Sequence, residues 1–189
     1  MIDTSGHHAV YGVLTDYLTG RELRDTDDER YRQKLARFFV EQKGFAKQEL
    51  EPRLYIETVI NRQYVKSTIE LIFSLSGKRL MILRYGPGSL VTRERPTVAA
   101  ARLLENSYRI PLAIVTNGQD AELLDTATGA VLLTGLDELP DRERLEEMSS
   151  RLLLEPFDDQ EQREREKRIL NAYDLEVCCR GEQCKPSFR

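Results

Sequence analysis

Cysteine is absent from the first 177 residues of this 189-residue chain and then appears three times, at Cys178, Cys179 and Cys184. An odd number crowded at one end does not make the disulfide framework of a small secreted domain. No apolar run is long enough to cross a bilayer, and no basic-then-apolar leader opens the chain. The expectation is therefore a soluble, cytoplasmic protein with no membrane partner. No internal repeat or low-complexity linker divides the sequence, and its length suits one domain that buries a core of its own, leaving no room for a second catalytic domain. A phosphate-cradling glycine loop is missing too. The nearest approach is Gly86-Pro-Gly-Ser89, but Pro87 has no N–H to donate and nothing matches a Walker pattern, so a tight turn is the better reading. Acids are scarce in one place in particular. Thr68–Leu75 and Arg79–Tyr85 read as two strands joined by a turn at Ser76-Gly77-Lys78, and Glu70 is the only carboxylate in either.

What is present begins with a helix start. Thr26-Asp-Asp-Glu29 has the spacing of a capping box, in which side chains at both ends satisfy orphan backbone N–H groups. Tyr31, Leu35, Phe38 and Phe39 then form one apolar stripe, and Gly44 follows Lys43 as the expected C′ residue. Leu54–Ile60 reads as a strand, and with the next two it predicts an antiparallel meander. Pro96 is expected to open a second helix at its favoured first-turn position, with Ala99, Ala100, Ala101, Leu103 and Leu104 packing on the sheet. Ile110–Val115 is apolar enough for a strand covered on both faces, and Ala121–Asp125 with Ala130–Thr134 reads as a hairpin. From Leu136 onward the pattern turns to Arg- and Glu-rich helices over 141–154 and 159–172. The order αβββαβ predicts an α/β sandwich with a mixed sheet. The organisation expected is an N-terminal arm over 1–24, a core over 25–135 and C-terminal helices with a Cys-containing tail over 136–189.

At Asp28-Glu-Arg-Tyr-Arg-Gln-Lys-Leu, Lys43-Gly-Phe45, the hairpin, Gly86-Pro87 and Ile114-Val-Thr-Asn-Gly118, the chain resembles the N-terminal nuclease-like domain of type I restriction enzyme R subunits, within the PD-(D/E)XK superfamily. The resemblance covers about Asp25 to Thr134. It implies a restriction-endonuclease-like core, and a divalent metal such as Mg2+ held by one strand acid and an acid-x-Lys on the next strand. Glu70 stands for the first acid and Glu29 is a remnant position on the first helix. Counting back from Pro87 puts Leu83 and Tyr85 at the acid and the Lys; a slip of one puts Ile82 and Arg84 there. Neither register supplies a carboxylate, and an always-protonated Arg cannot shuttle a proton as Lys might. The Gln followed by Tyr that the family tends to carry on its second helix is also missing from Ala99–Leu103. The implied reading is an inherited fold with degenerate catalysis, with Glu94 or Glu105 as acids that could enter the site from elsewhere.

Two further features bear on partners. Residues 66–109 hold eight Lys and Arg against three Glu, a balance of +5 that leaves −9 for the remainder of a chain whose net charge is −4. Arg84, Arg93, Arg95 and Arg102 are candidate nucleic-acid contacts, because guanidinium forks suit phosphate oxygens; the alternative is that such residues solvate exposed element ends. Cys178, Cys179 and Cys184 could ligate zinc or an iron–sulfur cluster only with a fourth ligand from His7, His8 or another subunit, and the plainer reading is reduced thiols on a tail. The function expected is a nucleic-acid- or protein-binding module. Alternatives are a working metal-dependent endonuclease with relocated ligands and a non-catalytic scaffold.

Overall fold

The computed structural model describes residues 10–60, 62–86 and 88–178. Within the stretch expected as an arm, β1 (Val10–Thr15) and β2 (Glu22–Thr26) pair antiparallel as a separate two-stranded sheet. Helix α1 (Asp27–Arg37) follows directly. Thr26 caps it by accepting the Glu29 N–H at 3.2 Å, and Asp27, Asp28 and Glu29 fill a first turn whose dipole favours negative charge. The reciprocal half of the expected capping box is replaced: the Glu29 carboxylate is taken by Arg32, Gln33 and Arg53. The helix widens into one π-type turn over Phe38–Gln42 before Gly44. Phe39, fully buried, meets Phe45 and Phe73 edge-on, which docks α1 on the sheet.

The main sheet has six strands in sequential order: β3 (Leu50–Ile60), β4 (Gln63–Leu75), β5 (Lys78–Tyr85), β6 (Leu112–Thr116), β7 (Ala121–Asp125) and β8 (Val131–Thr134). All neighbours are antiparallel except β5 and β6, which are parallel and so need the crossover helix α2 (Val91–Leu104) between them. This is the mixed α/β architecture expected. One boundary differs. Pro96 lies inside α2, whose first residue is Val91, so the proline removes a single backbone donor near the start of the helix rather than opening it.

Each sheet face carries its own apolar core. On one side Leu71, Phe73, Met81, Leu83, Leu112 and Ile114 pack with Leu35 of α1 and Phe39 of the π-type turn that follows it. On the other, Ile72, Ile82, Ala113 and Val115 pack with Val98 to Ala101 of α2. The C-terminal helices divide between these faces: α3 (Arg142–Ser149) buries Leu145 on the α1 side, and α4 (Gln160–Cys178) buries Leu170 on the α2 side. Arg163 helps fix α4 by donating to the Leu103 and Glu105 carbonyls at the open end of α2. Among the described residues, no helix is long and apolar enough to cross a membrane.

Candidate functional site

The two registers that the sequence left open lie on opposite faces of the sheet. Met81 and Leu83 are fully buried on the α1 side, and Tyr85 stacks on Tyr31 of α1 with ring centroids 4.3 Å apart. Ile82 and Arg84 belong to the opposite side. The register that faces α1 thus presents Leu83 and Tyr85, one apolar and one phenolic.

Glu29 and Glu70 do converge from α1 and β4, and a guanidinium lies between them. Arg32 donates from Nη1 to Glu29 Oε2 at 3.2 Å and pairs through Nη2 with Glu70 Oε1 at 3.6 Å. The two carboxylate side chains are only 7% and 4% exposed, so this cation neutralises charge that water cannot reach. Beyond the Leu71–Leu83 pair, the Tyr85 N–H donates to Glu70 Oε2 at 2.9 Å. Burial pushes the Glu70 carboxyl above the usual glutamate range despite the opposing pull of Arg32, Arg84 and that N–H.

A second guanidinium extends the network. Arg53, opposite Glu70 on edge strand β3 and held at φ 56°, donates to Glu29 Oε1 at 3.0 Å and pairs with Asp16. Burial alone would raise the Asp16 carboxyl, but the Thr19 N–H and Arg53 hold it below its usual value. The donor set is thus two carboxylates already shared by two guanidiniums, with apolar Leu83 where another ligand would stand. It does not fit a divalent cation such as Mg2+. The two acids that could have entered from elsewhere have other neighbours: Glu105 is bound by Arg79 at 2.8 Å, and Glu94 lies near Glu122. Among the described residues, no group of three or more His, Cys, Asp and Glu is arranged to hold a metal.

The four candidate arginines lie elsewhere. Arg84 donates to the Thr68 and Pro96 carbonyls and to both oxygens of Asp174 on α4 at 3.0 Å. Arg95 and Arg102 share the buried Glu166, also on α4, at 2.7 and 2.8 Å. Arg93 lies over Gly86, where an added Cβ would meet its guanidinium. Arg84, Arg93 and Tyr85, with Thr92, Thr97, Tyr173 and Asp174, line a cavity of about 330 Å³ between the N-terminus of α2 and α4.

The sequence reading missed Arg32, Arg53 and Asp16, and the two α4 acids. A signal existed for the latter: Glu166, Leu170 and Asp174 recur at intervals of four and so share a helical stripe. Cys178 ends α4, while Cys179, Cys184, His7 and His8 lie outside the described residues.

With α1, the meander, the α2 crossover and β6 to β8 in this order, the comparison with known families is decisive. The family model described as Type I restriction enzyme R protein N terminus (HSDR_N) matches residues 27–140. The chain belongs to this family. No curated protein and no solved structure gives a match. The matched region begins after β2 and ends before α3, so the β1–β2 hairpin and the α4 acids that hold Arg84, Arg95 and Arg102 fall outside it.

Proposed function

We propose that this R-protein N-terminal domain has kept a restriction-endonuclease-like core without hydrolysis and serves as a nucleic-acid-binding module. The observation that carries the loss is Arg32, a fixed cation between Glu29 and Glu70, beside a β5 strand that offers Leu83 and Tyr85 in place of an acid and a Lys. No general base can be generated by a protonated guanidinium, and no metal-bound water is available where the acids are already paired. Nucleic-acid binding is supported by the family, by Arg84 and Arg93 on the cavity wall, and by the exposed Lys66 with the Tyr55 ring 3.6 Å beneath its ammonium.

Purified protein is expected to leave supercoiled and linear duplex DNA uncut with either magnesium or manganese. Cleavage that disappears in Glu70→Gln would overturn this reading. Duplex binding is expected to weaken steeply with added salt. The same Glu70→Gln protein has a second use. Because the folded Glu70 carboxyl is raised, it favours the folded state below its unfolded pKa and that contribution is lost as pH rises through the folded value. Denaturation midpoints should therefore show wild type losing stability relative to Glu70→Gln as pH rises, with the gap closing in acid.

A protein-docking role is the second reading. It is favoured by exposed Val10, Tyr11 and Val13 on β1 and by Val131 and Leu132 on edge strand β8. Salt-insensitive or absent DNA binding would favour it.

A further inference from the structure

The cavity between α2 and α4 has the features of an anion site rather than a packing defect. It lies at the C-terminal ends of parallel strands β5 and β6, where the crossover helix α2 begins. Ligands of open α/β sheets collect at such crevices, and a helix N-terminus there favours negative charge. Two guanidiniums, Arg84 and Arg93, and one carboxylate, Asp174, line it. Tyr173 adds an aromatic ring.

The volume decides between a strand end and a duplex. About 330 Å³ falls at the small end of ligand clefts and cannot admit paired bases. Resting on the nucleic-acid-binding reading above, we infer that this cavity takes one nucleotide bearing a terminal phosphate, its base against Tyr173 and its phosphate on Arg93 and Arg84. Base-on-aromatic stacking is tolerant of sequence, so the site selects an end rather than a base. Asp174 already occupies Arg84 with a carboxylate, as a phosphate would. An incoming phosphate must share or replace that contact, which makes Asp174 a brake on affinity.

The test compares short oligonucleotides with a 5′-phosphate, a 3′-phosphate or hydroxyl ends, alongside adenosine monophosphate, adenosine and inorganic phosphate, by titration calorimetry on the full chain. One phosphorylated end is expected to bind about tenfold more tightly than the hydroxyl-ended strand, a difference of about 1.4 kcal/mol. Arg93→Gln should abolish that preference, and Asp174→Asn should increase affinity for the phosphorylated strand severalfold. Arg93 is partly exposed, so its replacement tests binding without emptying the core. Equal affinity for phosphorylated and hydroxyl ends, or a preference unchanged by Arg93→Gln, overturns the inference while leaving general nucleic-acid binding intact. Binding of adenosine monophosphate through Arg93 without any oligonucleotide binding would keep the site and sink the nucleic-acid reading. Binding of inorganic phosphate as tightly as the nucleotide would remove the base from the proposal and overturn it as stated.

Discussion

Arg32→Ala is expected to lower folding stability by about 3 kcal/mol at neutral pH, because removing one member of a buried ionic cluster leaves charge without compensation. Glu29 retains Arg53, so Glu70 bears most of the loss. Its carboxyl is already held above the usual range by burial, and without the guanidinium it should rise further. A carboxyl raised in the folded state supports folding below its unfolded pKa, about 4.3, and the support is lost as pH rises through the folded value. The deficit of Arg32→Ala should therefore be small in mild acid and grow towards neutrality. Urea denaturation at several pH values measures it. A deficit independent of pH would mean that Arg32 acts through packing of its stem rather than through Glu70. Arg32→Lys should recover only part of the loss, since one ammonium cannot span two carboxylates with a planar fork.

The second large effect lies across the sheet. Glu166→Ala should destabilise the protein by about 2 kcal/mol, below the usual figure for breaking a buried pair because the Arg95 side of the cluster is partly screened by solvent. Arg95 is 38% exposed, whereas Arg102 is 17% exposed and keeps its bonds to the Thr126 and Ala127 carbonyls. The damage should be local. Amide exchange should quicken along α4, still anchored by Leu170 and Arg163, while the sheet stays protected. Burial alone would raise the Glu166 carboxyl, but Arg95 and Arg102 hold it below the usual range. Its contribution is then present above the unfolded pKa and lost as pH falls through the folded value, the reverse of Glu70. Acid should loosen α4 before the sheet in wild type, and Glu166→Ala should remove that step. Uniformly faster exchange throughout the domain would show that α4 is inseparable from the core.

The two carboxylates respond to pH in opposite senses because their surroundings differ. Glu70 is fully enclosed and meets Arg32 at 3.6 Å, so burial prevails; Glu166 receives two arginines at hydrogen-bonding distance, so attraction prevails. A list of charged residues cannot distinguish these cases. Burial and direct distance decide which effect is larger.

Much of the fold was written locally. Thr26 capped the first helix as its spacing indicated, β3 to β5 formed the meander, and Leu112–Thr116 was buried along its whole length as an apolar strand requires. These features depend on period, turn chemistry and caps, which neighbouring residues fix among themselves. Pro96 was misleading because a proline is tolerated at more than one position near a helix start, and the chain before it was free to enter the helix from Val91.

The site was legible only as a set of absences. The sequence by itself determined that β5 carries no carboxylate, and that no slip of register could provide one. It also determined the acidic stripe of Glu166 and Asp174 on α4. Tertiary structure decided everything that depends on which faces meet: that Leu83 and Tyr85 look towards α1, that Arg32 stands between Glu29 and Glu70, and that α4 lays its acids on Arg84, Arg95 and Arg102. Partners in these contacts are up to 90 residues apart in the chain, as Arg84 and Asp174 are. No local pattern encodes such a pairing, because an arginine's charge fits any nearby carboxylate and only the packing of two cores on one sheet selects which carboxylate comes within reach.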